Sequence, residues 1–301
     1  MQIKQRPFME EELIRIEGNL LIFDEEVVLR RALNAWKKCD EKTVYNEIIA
    51  LTNKITKNYF DEQKNEFIAH VEKIDEEKVE KIVGIIFERA MEEPEFCKLY
   101  VQLCQAQISA DHQKAETSKF AEILITKTQR LFDFLFGEDS KNEINGPTQI
   151  EILLKEKEKM EQSLKSSRSR ESSASLAEIE VKLKWKQNGF INLIGQLYLA
   201  KIVNPRIVNY CLKKMMQQLK KPTEDEEIDW RQEKVEMSIL GFCSLLQLVA
   251  EDLVKNSTTN EIETLRFLLD FLYENRQRTV NRIRFSIMDT HETTAPMLSR
   301  I

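Results

Sequence analysis

The sequence predicts an all-α protein built as an α-solenoid of about five antiparallel helical hairpins. Glycine (7) and proline (6) are scarce among the 301 residues, and 32% of the residues are charged, which favours long helices over sheets. Apolar residues recur with helical periodicity along most of the chain. The pattern divides into helix pairs of roughly 35–45 residues each, a length typical of HEAT-like repeats. A pair of this size can bury its apolar faces only by stacking on its neighbours.

The clearest hairpin lies between Val79 and Ile108. Apolar residues from Val79 to Ala90 recur at intervals of three and four, which places them on one face of a helix. Pro94 then interrupts the pattern, because proline is unfavourable inside a helix but suits the first turn of a new one. A second apolar stripe follows from Phe96 to Ile108. Two amphipathic helices joined by so short a turn are expected to pack as an antiparallel hairpin.

The remaining elements are predicted in chain order. We expect an N-terminal segment at 1–24, a leading helix at 25–40 that contains Trp36, the solenoid at 41–292 and a tail at 293–301. The first hairpin spans 44–71, the second 79–108 and the fourth 205–254. The fifth spans 260–291, with its two helices at 260–274 and 276–291. The third begins at 120–132 and resumes at 176–200. The insertion at 137–175 is expected to be disordered or charged, with a short charged helix at 150–164 and a low-complexity, disordered stretch at 163–175.

Composition argues against several classes of protein. No apolar run approaches the ~18 residues that a membrane helix needs, and the N-terminus has no apolar signal region. The five cysteines are odd in number and lack paired spacing, which is typical of reduced thiols in the cytosol or nucleus. The three histidines lie far apart, and no glycine-rich phosphate loop or metal-ligand spacing is found. We therefore predict a cytoplasmic protein that is not an enzyme and uses no cofactor or metal.

Basic residues are concentrated locally although the net charge is −6. Residues 176–222 are strongly basic and residues 223–229 are acidic. A local basic face can contact a phosphate backbone, and Trp185 and Phe190 lie near enough in sequence to stack on bases. The alternative is an ordinary solvated helix face. The candidate RNA-binding residues are Lys182, Lys184, Lys186, Lys213, Lys214, Arg276 and Arg278.

Four stretches together resemble the middle domain of translation initiation factor 4G. They are IALTNKITKNYF at 49–60, IFERAMEEPEFCKLYVQLC at 86–104, GFINLIGQLYL at 189–199 and RIRFSIMD at 282–289. They occur in the family's order and at its spacing. In addition, ALNAWKK at 32–38 resembles the tryptophan-bearing segment that precedes that domain. The resemblance covers residues 30–292.

The chain also departs from the family's pattern. Thr52 and Ile55 stand where the family usually has leucine, Lys57 where it often has proline, and Trp185 in a segment that is usually arginine-rich. A second HEAT-type region and a poly(A)-binding-protein site are not evident, so we expect a minimal or divergent member. Paralogous middle domains occur in mRNA decay, splicing and cap-binding complexes. An RNA-processing adaptor is therefore the alternative function, and a purely structural helical adaptor is a third.

The resemblance implies a scaffold that binds and activates the DEAD-box RNA helicase initiation factor 4A and contacts mRNA. In the family, the solenoid holds the two lobes of the helicase half-open through two separated patches. Carried over to this sequence, the helicase-binding residues are Trp36, Asn53, Lys54, Phe60, Glu92, Glu93 and Phe96 in the first patch and Arg282, Arg284 and Asp289 in the second. Core packing is the alternative for Phe60 and Phe96. A solvated face is the alternative for Arg282 and Arg284, and internal capping or bracing of the last helix is the alternative for Arg284 and Asp289.

The N-terminal residues Phe8, Leu13 and Ile14 resemble the docking motif for the cap-binding protein, initiation factor 4E. That motif normally begins with tyrosine. Phenylalanine keeps the ring but loses the hydrogen bond of the hydroxyl, at a cost of about 1 kcal/mol. The motif is short, so a chance match is the alternative. The resemblance also implies initiation factor 3 as a further partner.

Overall fold

The computed structural model describes residues 44–137, 148–166, 170–219 and 228–299, except for the side chains of residues 76–77 and 163–173. These residues form eleven α-helices. The helices are α1 (Val44–Thr52), α2 (Phe60–Val71), α3 (Glu76–Glu92), α4 (Cys97–His112), α5 (Lys119–Phe136), α6 (Gln149–Ser166), α7 (Arg170–Leu199), α8 (Pro205–Gln217), α9 (Glu233–Asn256), α10 (Thr259–Asn275) and α11 (Asn281–Leu298). Short 3-10 turns cover Lys57–Tyr59 and Arg276–Arg278. No strand occurs in these ranges, so the all-α prediction is confirmed.

The helices stack in two rows, as a HEAT-like solenoid requires. The first row contains α1, α3, α5, α8 and α10, and the second contains α2, α4, α7, α9 and α11, with neighbours in each row in contact. Consecutive helices also pack together as α1 with α2, α3 with α4, α8 with α9, and α10 with α11. Helices α5 and α7 occupy the third position in the two rows. Each predicted hairpin therefore has its two helices in opposite rows.

The core runs along the interface between the rows. Phe67 of α2 meets Phe120 of α5 edge-on, with ring centroids 6.2 Å apart, and Phe87 of α3 packs on Phe190 of α7 at 6.1 Å. Among the described helices, α9 alone has the length and the apolar composition that a membrane-spanning helix would need. More than half of its most apolar stretch is buried, and it packs against α7, α8 and α11. It therefore has the contacts of a central core helix.

Helix ends lie close to where the sequence predicts them. Helix α5 ends at Phe136, one residue before Gly137. Helix α8 begins at Pro205, and the side chain of Asn204 accepts a hydrogen bond from the backbone N–H of Ile207 at 3.1 Å. This is an N-cap followed by proline in the first turn, the arrangement that the Asn-Pro turn signal predicts.

The insertion is more ordered than predicted. Helix α6 extends the predicted charged helix to Ser166, and α7 begins at Arg170, so a disordered stretch at 163–175 is wrong for the helical residues within it. The physical reason is packing, because α6 lies along α7 and Ile150 is fully buried. The Lys157 ammonium, almost completely buried, lies 2.6 Å from Glu233 and 3.5 Å from Glu180, which joins α6 to α9 and α7.

Glu151 makes the second polar attachment of α6. Both of its carboxylate oxygens accept hydrogen bonds from Arg130 of α5, at 2.9 and 2.7 Å. Burial alone would raise the pKa of Glu151. Hydrogen bonds from Thr148 and from Arg130 outweigh burial and hold that pKa below its ordinary value of 4.5. Glu151 is therefore a carboxylate whose ionised form the fold stabilises.

Two boundaries near the C-terminus also differ from prediction. The last helix begins at Asn281 rather than at Arg276, because residues 276–278 form a 3-10 turn. The helix then runs to Leu298, through most of the predicted tail, since Thr294 and Leu298 are buried on its core face. The segments 1–24 and 25–40 lie outside the described residues, and so do Phe8, Leu13, Ile14 and Trp36.

Candidate functional site

The turn between α3 and α4 is the centre of the first candidate surface. Arg89, near the end of α3, donates one hydrogen bond to Glu93 at 2.9 Å and another to Asn53, just after α1, at 2.5 Å. The Tyr100 hydroxyl donates to the other oxygen of Glu93. Burial, together with this carboxylate, raises the pKa of Tyr100, so the hydroxyl remains a proton donor. The network brings two predicted residues, Asn53 and Glu93, to one place.

Helix α7 packs directly onto this turn. Trp185 donates from its indole N–H to the carbonyl of Glu92 at 3.0 Å, and the Lys186 ammonium lies 2.7 Å from the Glu92 carboxylate. The side-chain amide of Asn192 donates to the carbonyl of Pro94 at 3.3 Å. Gly189 allows this approach, because a Cβ there would overlap the carbonyl oxygen of Met91. The indole of Trp185 remains 55% exposed beside the turn.

The remaining predicted residues of the first patch differ in exposure. Phe60 is half-buried and packs against the core, which agrees with the alternative of core packing. Phe96 is 37% exposed, and Lys54 is exposed with its backbone carbonyl accepting from Gln63 at 2.7 Å. We name the set Asn53, Lys54, Glu92, Glu93, Phe96 and Trp185 the turn surface.

The second candidate surface lies on α11. The Asp289 carboxylate accepts a hydrogen bond from Gln247 of α9 at 2.7 Å, and Arg282 approaches Glu236 of α9 at 3.9 Å. Arg284 instead donates to Gln277 at 3.3 Å, and its guanidinium lies 5.3 Å from the ring centre of Phe285. Both residues therefore make contacts within the fold, through separate partners, which agrees with the alternative that they brace the last helix internally.

Apolar side chains lie between the charges of α11. Phe285 is 59% exposed and Met288 is 38% exposed. Phe285 stands one helical turn after Arg282 and one before Asp289, so the three share a face. We name the set Arg282, Phe285, Met288 and Asp289 the α11 surface. Its apolar residues give it the composition of a protein-binding patch.

The predicted RNA-binding residues do not form one continuous face. Lys186 is turned inward to Glu92 and Glu88, and Arg276 donates to the carbonyl of Tyr273 at 2.6 Å while stacking on that ring. Both residues are therefore bonded within the fold, which corrects their assignment. Lys182, Lys184 and Arg278 are exposed, whereas Lys213 and Lys214 lie half-buried on α8 in the other row.

Titratable groups in the described ranges provide no metal site. No cluster of three or more His, Cys, Asp or Glu side chains occurs there. The four described cysteines, Cys97, Cys104, Cys211 and Cys243, are buried free thiols. Burial raises the pKa of Cys97 and Cys211 to about 12, so these thiols stay protonated and unreactive at neutral pH.

The family of this chain is identified by a sequence-model match whose range includes both candidate surfaces. A sequence model of the family described as MIF4G domain matches residues 46–296. The chain belongs to the MIF4G domain family. This confirms the resemblance to the middle domain of translation initiation factor 4G.

Curated relatives of this MIF4G domain are initiation factors. Eukaryotic translation initiation factor 4 gamma 3 of Mus musculus is 23% identical over 283 residues, or 88% of this chain. Eukaryotic translation initiation factor 4 gamma of Dictyostelium discoideum is 24% identical over 266 residues, and eukaryotic translation initiation factor 4G of Cucumis melo is 24% identical over 256 residues, each covering 83% of this chain. The aligned region spans 16%, 18% and 12% of these three proteins, respectively.

One solved structure is similar to the MIF4G domain described here. It is the MIF4G domain of Trypanosoma cruzi translation initiation factor EIF4G5, with 15% sequence identity and a TM-score of 0.45. The alignment covers 84% of this chain and 95% of that one.

Sequence reasoning assigned no helicase-binding role to three residues of the two surfaces, and it missed Arg89, which supports the turn surface. Arg89 stands four residues before Glu93, a spacing at which helical ion pairs form, and this signal could have been read. Phe285 and Met288 lie inside the quoted RIRFSIMD motif, but only its charged residues were assigned a role. Trp185 was noted as a departure and as a base-stacking candidate. Its contact with Glu92 joins residues 93 positions apart, which no local pattern reveals.

Proposed function

We propose that this chain is a non-enzymatic scaffold of translation initiation that binds and activates the DEAD-box RNA helicase initiation factor 4A. The main support is the MIF4G match over residues 46–296, together with relatives that are translation initiation factors in an animal, a plant and Dictyostelium discoideum. This role agrees with the cytoplasmic location predicted from the sequence. Initiation factor 3 remains a further predicted partner.

The geometry suits a partner with two lobes. The turn surface lies at the first, second and third hairpins, and the α11 surface lies on the fifth. A packed solenoid keeps two such surfaces at a fixed separation. A scaffold that binds the half-open helicase more tightly than its other forms would shift the helicase population toward that form. We propose that each surface contacts one lobe.

Hydrogen bonding and exposure together divide the turn surface into contact and positioned residues. Lys54, Phe96 and Trp185 have side chains accessible to a partner, and Asn53 and Glu92 are also exposed. Asn53 and Glu93 are bonded to Arg89, so we assign Arg89 the role of holding them in place. Trp36 remains a predicted contact of the first patch.

We further propose weak, sequence-independent contact with mRNA through the exposed cations Lys182, Lys184 and Arg278. Phosphate contacts release counterions, so the logarithm of the binding constant should fall with the logarithm of salt by about 0.7 for each phosphate on single-stranded RNA. A triple Lys182→Ala, Lys184→Ala, Arg278→Ala variant should reduce that slope. A slope that is flat in the wild type would exclude phosphate contacts.

The deciding experiment measures the RNA-stimulated ATPase rate of initiation factor 4A with and without saturating protein. Stimulation should fall with Phe285→Ala, and the matched control is Phe267→Ala, since Phe267 is 69% exposed but lies on α10 in the other row. For the turn surface, Trp185→Ala should also lower stimulation, with Tyr210→Ala, 51% exposed on α8, as its control.

The outcome also separates the alternative functions. Loss of stimulation confined to the Phe285 and Trp185 variants would support two helicase surfaces. Absence of both stimulation and binding would refute the helicase role and favour the RNA-processing adaptor. A Leu13→Ala, Ile14→Ala double variant tests the cap-binding motif, and unchanged binding of initiation factor 4E would exclude it.

A further inference from the structure

A cleft of about 350 Å³ opens where the end of α5 meets α6, α7 and α9. We call it the α6 cleft. Apolar residues of four helices line its walls. They include Phe134 from α5, Leu154 from α6, Leu183 and Ile191 from α7, and Met237 and Leu240 from α9. At its far end, the side chain of Gln218 donates to the carbonyl of Phe136 at 2.8 Å. The cleft is an apolar depression with room for a few side chains of a partner.

Cations from three helices surround the α6 cleft. Lys184 of α7, Lys234 of α9 and Arg282 of α11 line it, and all three are exposed. Two carboxylates also line it, but Glu233 lies 2.6 Å from the ammonium of Lys157 and is neutralised there. Among the described lining residues, Glu158 is the other carboxylate, and Arg282 also lies 3.9 Å from Glu236. The positive charge of the rim therefore comes mainly from Lys184 and Lys234.

We propose that the α6 cleft binds an acidic peptide segment of a partner protein that inserts apolar side chains between its carboxylates. Apolar anchors would contact the floor, and the carboxylates would meet Lys184, Lys234 and Arg282. The volume is near the lower end of the ~300–1,000 Å³ typical of ligand pockets, which suits a short segment. A nucleic acid backbone fits less well, since its phosphates would leave the apolar floor unfilled. This site is additional to the two helicase surfaces, with which it shares only Arg282, and it shares Lys184 with the proposed mRNA contacts.

The test begins with a displayed peptide library selected on the full chain and counter-selected on Lys234→Glu. Lys234 belongs to neither proposed helicase surface, so failure here leaves the helicase proposal standing. The matched control is Lys255→Glu, a lysine on the same helix, 65% exposed and paired with Glu251. The two lysines are about 30 Å apart along α9 at 1.5 Å per residue. Selected peptides should combine acidic residues with leucine, phenylalanine or methionine.

Binding of the best selected peptide is then measured by fluorescence polarisation. Lys234→Glu should weaken it about tenfold, because reversal of a rim charge replaces attraction by repulsion, whereas Lys255→Glu should change it by less than about twofold. In methyl NMR spectra of ¹³C-methionine protein, titration should shift the Met237 signal, identified by Met237→Leu. The signal of Met91, which is fully buried in the second hairpin, should not move.

Four results would overturn the proposal. The first three are a selection that enriches no peptide over the Lys234→Glu protein, equal binding by Lys234→Glu and Lys255→Glu, and an unchanged Met237 signal at saturation. Displacement of the peptide by oligo(U) RNA with a matching shift at Met237 would also overturn it, since the cleft would then bind nucleic acid. Thermal unfolding of each variant checks that it is folded.

Discussion

Replacement of Gly189 by alanine tests the packing of α7 on the turn between α3 and α4. The new Cβ would overlap the carbonyl oxygen of Met91 and lie 2.7 Å from its carbonyl carbon. These are backbone atoms, so α7 must move away. The movement should break the hydrogen bonds from Trp185, Lys186 and Asn192 to the turn. At about 1 kcal/mol each, less the ~1 kcal/mol that alanine gains over glycine in a helix, the net loss is about 2 kcal/mol.

Urea titration and thermal unfolding measure this loss, and a decrease in Tm of about 4 °C or more is expected. Two matched variants make the same change elsewhere. At Gly84 of α3 no atom lies within 4 Å of an added Cβ, so Gly84→Ala should raise stability by about 0.5–1 kcal/mol. At Gly195 of α7 the added Cβ meets the flexible end of the Leu248 side chain, which can shift. The stability of Gly195→Ala should therefore lie between those of Gly189→Ala and Gly84→Ala. A Gly189→Ala protein as stable as Gly84→Ala would refute the close contact of α7 with the turn.

Three further changes test the insertion and the core. A Glu180→Gln, Glu233→Gln double variant should cost about 2 kcal/mol in urea titration, because it takes the two nearer carboxylates from the buried Lys157 ammonium and leaves Glu161 at 3.8 Å. Glu251→Gln, which removes the exposed partner of Lys255, should cost under about 0.5 kcal/mol; equal losses would contradict the buried pairing. Glu151→Gln should be less stable than the wild type above pH 4.5, and the difference should shrink as pH falls through the lowered pKa of Glu151; a difference that is constant down to pH 3 would contradict the pairing with Arg130. In a Cys39→Ser protein the four described thiols should react with a disulfide reagent only after urea is added; fast reaction in native buffer would show that a thiol is accessible.

Most helices of the fold could be predicted from local sequence patterns. Apolar periodicity identified both helices of the hairpin around Pro94, and the Asn204–Pro205 pair marked the start of α8. Helix existence follows from such signals because each depends on residues within one or two turns of each other. The same reasoning failed at residues 170–175, where serine and charge suggested disorder. In the structure that stretch is the first part of α7, which begins at Arg170 and continues as one helix to Leu199.

The candidate surfaces were only partly predictable, because exposure depends on which faces the solenoid covers. From the sequence alone, Lys182, Lys184 and Lys186 were predicted to be equivalent RNA-binding lysines of one basic stretch. In the structure Lys186 faces Glu92 and Glu88, while Lys184 lines the α6 cleft. Arg276 was grouped with Arg278 for the same reason, yet it stacks on Tyr273. Charge counts along a chain identify basic segments, whereas the three-dimensional contacts decide which cations remain available to a partner.

The second row of helices connects the proposed sites. Trp185 lies on α7 and Phe285 on α11, and α9 packs against both helices. The buried residues of α9 fill the space between them, and a close-packed core deforms little under small forces. The separation of the two surfaces is therefore set by the packing of α9, and not by either surface itself. If the proposed function holds, a change confined to the α9 core should alter helicase activation while each surface keeps its own affinity. Binding and activation must then be measured separately in any variant of this helix.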